Sequence, residues 1–137
     1  MKLSSIHHFA LVVADLDRSL AWYGDVLGFA TEAQWDVAEA GLRFAHIHVG
    51  DIRFELMERE GAAAGPDESA DVFGALATRG AKHVGLHVDN VEATAAELRD
   101  KGIDILFGPN EVPQVGVRNL FIRDPDGNQI EFVEVHP

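Results

Sequence analysis

"HHFALVVADL", residues 7–16, returns in altered form as "KHVGLHVDNV", residues 82–91. Aligned on His8 and His83, the two stretches run in parallel through Phe9/Val84, Ala10/Gly85, Leu11/Leu86, Val12/His87 and Val13/Val88. An acid or amide then follows at the same distance, Asp15 in one and Asn90 in the other, each ahead of a helix-like run. The chain therefore writes one strand and one helix start twice, and keeps a histidine at the same place in both. What the histidine is for depends on what else is duplicated.

Outward from the first copy, "IHHFALVV" (6–13) is short, apolar and Val/Ile-rich, which predicts a strand. Asp15 or Asp17 can cap the next stretch, where Leu20, Trp22, Tyr23, Val26 and Leu27 recur at helical spacing before Gly28. A weakly patterned strand is expected over 29–37, then two clearer ones, "LRFAHIHV" (42–49) and "IRFELME" (52–58), joined at Gly50-Asp51. Residues 59–82 form a Gly-, Pro- and Ala-rich connection in which "DESADVFGALATRG" predicts a short helix ending at Gly80. The order then restarts. "HVGLHV" reads as a strand, and "DNVEATAAELRDKG" as a helix with Val91, Ala95 and Leu98 on one side. "IDILF" reads as a strand, "GPNEVPQVG" as a loop, "VRNLFIRD" and "QIEFVEV" as strands around the turn "PDGN".

Each half is thus β-α-β-β-β, with modules at about 5–58 and 83–135 in one domain spanning 1–137. The period is too long for a solenoid. A duplicated module of few helices and many strands predicts an α+β fold, two sheets facing each other across a pseudo-twofold axis.

Composition narrows the function. With 137 residues the chain is long enough to bury a core. A formal net charge of −12 opposes nucleic acid and anionic membranes, which are bound through Lys/Arg patches. There is no cysteine, so disulfides, thiolate metal sites and thiol nucleophiles are excluded. No signal-peptide pattern and no long apolar run is present, and a cytoplasmic protein is expected.

The closing strand of each module repeats a second feature. Glu55 stands between Phe54 and Leu56, and Glu131 between Ile130 and Phe132. His8 and His83 are 75 residues apart, Glu55 and Glu131 76 apart, so one duplication relates all four. A carboxylate among apolar neighbours is costly unless paired or metal-bound. Two imidazoles and two carboxylates suit one divalent ion, Ni, Co, Zn, Mn or Fe(II), with one or two positions left for substrate oxygen.

With these residues in view, the chain resembles the vicinal oxygen chelate superfamily, which includes glyoxalase I, methylmalonyl-CoA epimerase, extradiol dioxygenases and bleomycin-binding proteins. The resemblance covers essentially the whole chain. It rests on "IHHFALVVADLDRSLAWYGDVLGF", "HVGDIRFELME", "KHVGLHVDNVEATAAELRDKGI" and "FIRDPDGNQIEFVE", of which "DPDGNQIEF" is the most specific. It implies a paired, partly open β-barrel with a metal cleft, the metal held by His8, Glu55, His83 and Glu131. It also implies a metal-dependent lyase, isomerase or epimerase acting through a stabilised enolate on a small carbonyl, thioester or thiol adduct. Glu131 or Glu55 would be the base, and the family implies a homodimer with the cleft formed within one chain or between swapped modules.

The branch stays open. Glutathione-dependent members usually carry an arginine four residues after the first histidine, where Val12 stands here. An Fe(II) extradiol dioxygenase would leave Glu55 surplus, and a non-catalytic drug- or metabolite-binding protein would not need the four ligands. His87, two residues beyond His83 on the same face, is a candidate to bond substrate or exchange a proton, a role histidine fills near neutral pH. His7 is expected to face away from His8; with His46, His48 and His136 it reads as a packed or surface residue. Trp22, Tyr23, Phe29 and Phe121 read as core, and Arg53 and Arg118 as a solvated strand face.

Overall fold

The computed structural model describes residues 1–136. It divides into two compact units, Met1–Ala64 and Gly65–Pro137, so the connection beyond Ala64 belongs with the second module. In the first unit the order is β1 (Phe9–Val13), α1 (Leu16–Leu27), β2 (Ala30–Val37), β3 (Leu42–Val49) and β4 (Ile52–Arg59). In the second it is β5 (His83–His87), α2 (Val91–Asp100), β6 (Phe107–Val112), β7 (Val117–Arg123) and β8 (Gln129–Val135). Each makes an open four-stranded sheet, ordered β1-β4-β3-β2 and β5-β8-β7-β6. The opening strand lies parallel to the closing strand in both, and the remaining pairs are antiparallel. The α+β class and the tandem βαβββ modules expected from the repeat are what the chain has.

The helix starts repeat atom for atom. Asp15 is extended and its carboxylate accepts from Arg18 N at 2.9 Å; Asn90 accepts from Ala93 N at 2.7 Å. A second acid reaches in from the closing strand of each module. Glu58 Oε2 accepts from Leu16 N at 2.6 Å, and Glu134 Oε2 from Val91 N at 2.8 Å. The first helical N–H groups lack intrahelical partners, and here a neighbouring strand supplies them. An arginine on the third strand completes the set: Arg43 bridges Asp17 and Glu58, while Arg118 bridges Glu92 and Glu111. Hydrogen bonds to Asp17 and to Glu92 hold these guanidiniums above their ordinary pKa.

Period-two alternation decides which face of each sheet is core. Ala45, Ile47, Phe54 and Leu56 turn toward α1, where Leu16 and Tyr23 are buried with them. Phe54 is the centre of an aromatic group, its ring 5.7 Å from Tyr23, 5.0 Å from Phe29 and 5.6 Å from Phe9. The second core is aliphatic apart from Phe132: Leu120, Ile122 and Ile130 meet Val91, Ala95 and Leu98 of α2. The opposite faces carry the histidines and glutamates.

Three expectations are corrected. The first strand begins at Phe9, so His7 and His8 precede the ladder and are not held to strand alternation. The short helix expected before Gly80 is only a 3₁₀ turn, Gly74–Ala77, opened by Asp71 Oδ1 accepting from Gly74 N. Gly74 and the nearby Pro66 and Gly80 leave too few good helix formers for more. Finally, 103–106 is not a strand; the strand is Phe107–Val112, part of the expected loop. Gly108-Pro109 reads as a loop signal but sits in a register shift between Phe107 and Asn110. Gly108 has φ +88°, and a Cβ there would meet Asn119 O at 2.5 Å, so glycine is required by space as well as backbone.

Candidate functional site

In the first unit, β4 is an interior strand, and its Glu55 stands opposite Ala10 on β1 and His46 on β3. The carboxylate is 18% exposed. His46 Nε2 is 2.8 Å from Glu55 Oε2, a bond in which the ring N–H donates. The other oxygen, Oε1, faces His8 Nε2 at 3.9 Å. Behind His8 lies His7, Nδ1 to Nδ1 at 2.8 Å. The expectation that His7 faces away from His8 is therefore wrong, because the extended segment ahead of the ladder leaves both rings free to turn together. Trp35 stands edge-on to His46 with centroids 5.0 Å apart and stacks on Phe44 at 5.1 Å.

In the second unit, Glu131 on interior β8 stands opposite Gly85 on β5 and Phe121 on β7. Its Oε2 lies 3.2 Å from His83 Nε2, and its Oε1 accepts from Asn119 Nδ2 at 2.7 Å. Gly85 leaves room for the carboxylate, since a Cβ there would be 3.4 Å from Glu131 Oε2. Phe121, expected as core, is buried, but it is on this face, its ring edge-on to His83 at 5.1 Å.

The two units share one design. One carboxylate oxygen is held by an N–H from the adjoining strand, and the other faces a histidine Nε2. An oriented carboxylate oxygen beside an imidazole nitrogen is half of a borderline divalent-metal donor set, and an N–H on the outer oxygen fixes its aim. By donor chemistry the four residues fit a divalent ion. Among the described residues no group of three or more His, Cys, Asp or Glu is gathered as a metal site. What the structure brings together is two pairs, one in each unit.

His87 ends β5 on the His83 face, exposed and opposite Val133. His48 stands opposite Arg53, which makes two bonds to Glu32 at 2.7 and 2.8 Å. The Arg53 hydrogen bond lowers the Glu32 pKa. Arg53 and Arg118 are thus committed to carboxylates. His136 bonds Glu111 at 3.0 Å. Asn119 had no signal in the sequence. It aligns with Phe44 rather than His46 in the repeat, so the duplication points away from it, and only the diagonal across β7 and β8 brings it to Glu131.

The chain belongs to the Glyoxalase/Bleomycin resistance protein/Dioxygenase superfamily, whose family model matches residues 5–132. Among its relatives, the mitochondrial methylmalonyl-CoA epimerase of Mus musculus is 27% identical over 128 residues, 91% of this chain and 68% of that one. A probable lactoylglutathione lyase of Synechocystis is 27% identical over 127 residues, 93% of this chain and 92% of that one. The same fold occurs in TnmS3, an antibiotic binding protein from Streptomyces sp. CB03234, with a TM-score of 0.72, 23% identity, and 99% of each chain covered. No described helix is long and apolar enough to cross a membrane.

Proposed function

We propose that this chain is a metal-dependent lyase, isomerase or epimerase of the glyoxalase type, acting on a small carbonyl, thioester or thiol-adduct substrate. His8, Glu55, His83 and Glu131 would hold one divalent ion, Ni, Co, Zn, Mn or Fe(II), the two modules acting as one domain. The reading has it work as a cytoplasmic homodimer, the pairs meeting within a chain or between two copies. The observation that supports it is the matched pairing of a histidine Nε2 with a carboxylate oxygen in both units, at 3.9 and 3.2 Å. The epimerase and lyase relatives support the reaction class.

When bound, the ion supplies a Lewis acid that polarises a substrate oxygen and makes the neighbouring C–H more acidic. The rest is work for the chain's own groups. Glu55 or Glu131 takes that proton and returns it through the oxygen not held by His46 or Asn119. His87, exposed on the same face as His83, bonds the substrate at its outer end. Buried Phe121 and the Trp35/Phe44 stack offer apolar walls, each within its own unit.

Metal content after dialysis, with a His8→Ala/His83→Ala control, tests the reading. About one retained ion per four-ligand set, absent from the control, is the expected outcome. Glu131→Gln should then abolish exchange of the substrate α-proton with D2O, followed by NMR, and His87→Ala should slow it without changing metal content. A wild-type chain that binds none of the five metals when each is offered would overturn the proposal.

A further inference from the structure

Residues 65–82 do more than link modules; they lie against one end of the second sheet. Arg123 on β7 donates from Nη2 to Ala70 O. The Glu68 side chain rests on Gly127, where a Cβ would meet Glu68 Cγ at 2.8 Å. Between this segment and the start of β8 is a cavity of about 340 Å³, the size of a small-molecule site. Ala70, Ala75 and Ala77 give it a narrow apolar wall, and Lys82 and Gln129 give it polar groups.

Gln129 is the unusual one. It is 7% exposed, and its Oε1 is buried with no hydrogen-bond partner among the described residues. A buried acceptor left unmade is costly, so a group that satisfies it is expected. Lys82 Nζ spends one donor on Thr78 Oγ1 at 2.8 Å, leaving two. The cavity therefore offers an acceptor and a donor on an apolar wall, the complement of a secondary amide on a slender chain. Gln129 is also the register partner of His83. A ligand bonded to it lies beside the His83–Glu131 pair.

We propose that this cavity binds the amide-bearing arm of a thiol-derived substrate, the amide N–H meeting Gln129 and its carbonyl meeting Lys82. The proposal deepens, and rests on, the glyoxalase-type reading. The competing account is that Gln129 pairs with Arg123, its neighbour on β7, whose Nε is also buried and unpartnered. Arg123, however, lines a different cavity, with Asp104 and Leu106.

Calorimetry on the full chain separates these. The probe is S-methyl-N-acetylcysteamine, compared with its N-methylated form, which keeps the carbonyl and lacks the N–H. The secondary amide should bind wild type about tenfold tighter than the tertiary one, the effect of one hydrogen bond. Gln129→Leu should erase that difference, and Ala75→Leu, which fills the cavity, should abolish binding. Equal binding of the two amides to wild type would overturn the proposal, and this comparison stands even if Gln129→Leu fails to fold. Pantetheine and S-methylglutathione carry the same amide on different thiols; Gln129-dependent binding of either one supports the proposal and names the source. Metal retained with no amide binding sinks the cavity alone, whereas amide binding without metal sinks the functional reading alone.

Discussion

At the scale of single residues, the candidate site turns on hydrogen-bond partners rather than on the ligands themselves. A metal-binding histidine ordinarily donates its second ring N–H to an acceptor, which leaves the other nitrogen free and aimed. His7 Nδ1 is that acceptor for His8. His46 and Asn119 do the equivalent for Glu55 and Glu131. Removing any of the three should weaken metal binding by about 10- to 100-fold while leaving the ligand itself in place. Competition titration on His7→Ala, His46→Leu and Asn119→Leu checks this, and His46→Gln, which restores an N–H, should recover part of the loss. Unchanged affinity in all three would return these residues to packing. Glu55 and Glu131 were legible because a carboxylate flanked by apolar residues is conspicuous. Their partners were not, since an isolated histidine or asparagine on a strand looks like any surface residue.

At the scale of elements, the repeated unit is a helix whose start is tied to the last strand of its own module. The glutamate three residues beyond each proposed ligand, Glu58 or Glu134, takes the first helical N–H. Glu58→Ala and Glu134→Ala should each lower stability by about 1–2 kcal/mol, read from urea unfolding, because each strands an N–H that the tertiary fold has satisfied. The effect should be near zero if water replaces the carboxylate freely. Phe54 gives a larger test. It is 1% exposed at the centre of the first core, and Phe54→Ala should cost about 3–5 kcal/mol. The helices were readable from capping residues and spacing. The sixth strand was not, because Gly108-Pro109 carries the composition of a turn while the ladder absorbs it as a bulge.

At the scale of the whole molecule, a formal charge of −12 is spread over 137 residues. Like charges at that density repel one another in the folded state. Raising ionic strength from about 0.01 M to 0.15 M shortens the screening length from about 30 to 8 Å, and the melting temperature should rise by a few degrees. A fall would mean that ion pairs such as Arg43–Asp17 and Arg53–Glu32 outweigh the repulsion. The same charge bears on partners: a small neutral or amide-bearing ligand meets less resistance than a polyanion.

By itself, the sequence determined the duplication, the α+β class and the pairing of one histidine with one glutamate in each half. Those follow from periodicity and from equal spacing, which are local or arithmetic properties of the chain. Only the tertiary structure decided that His7 turns toward His8, that His46 and Asn119 hold the carboxylates, and that Gln129 is buried without a partner beneath the connection. Each of these depends on which residues strand register and a packed loop bring side by side, up to 53 positions apart in the case of Arg123 and Ala70. No periodicity in the chain encodes such meetings, because they arise when sheets assemble and loops close over them.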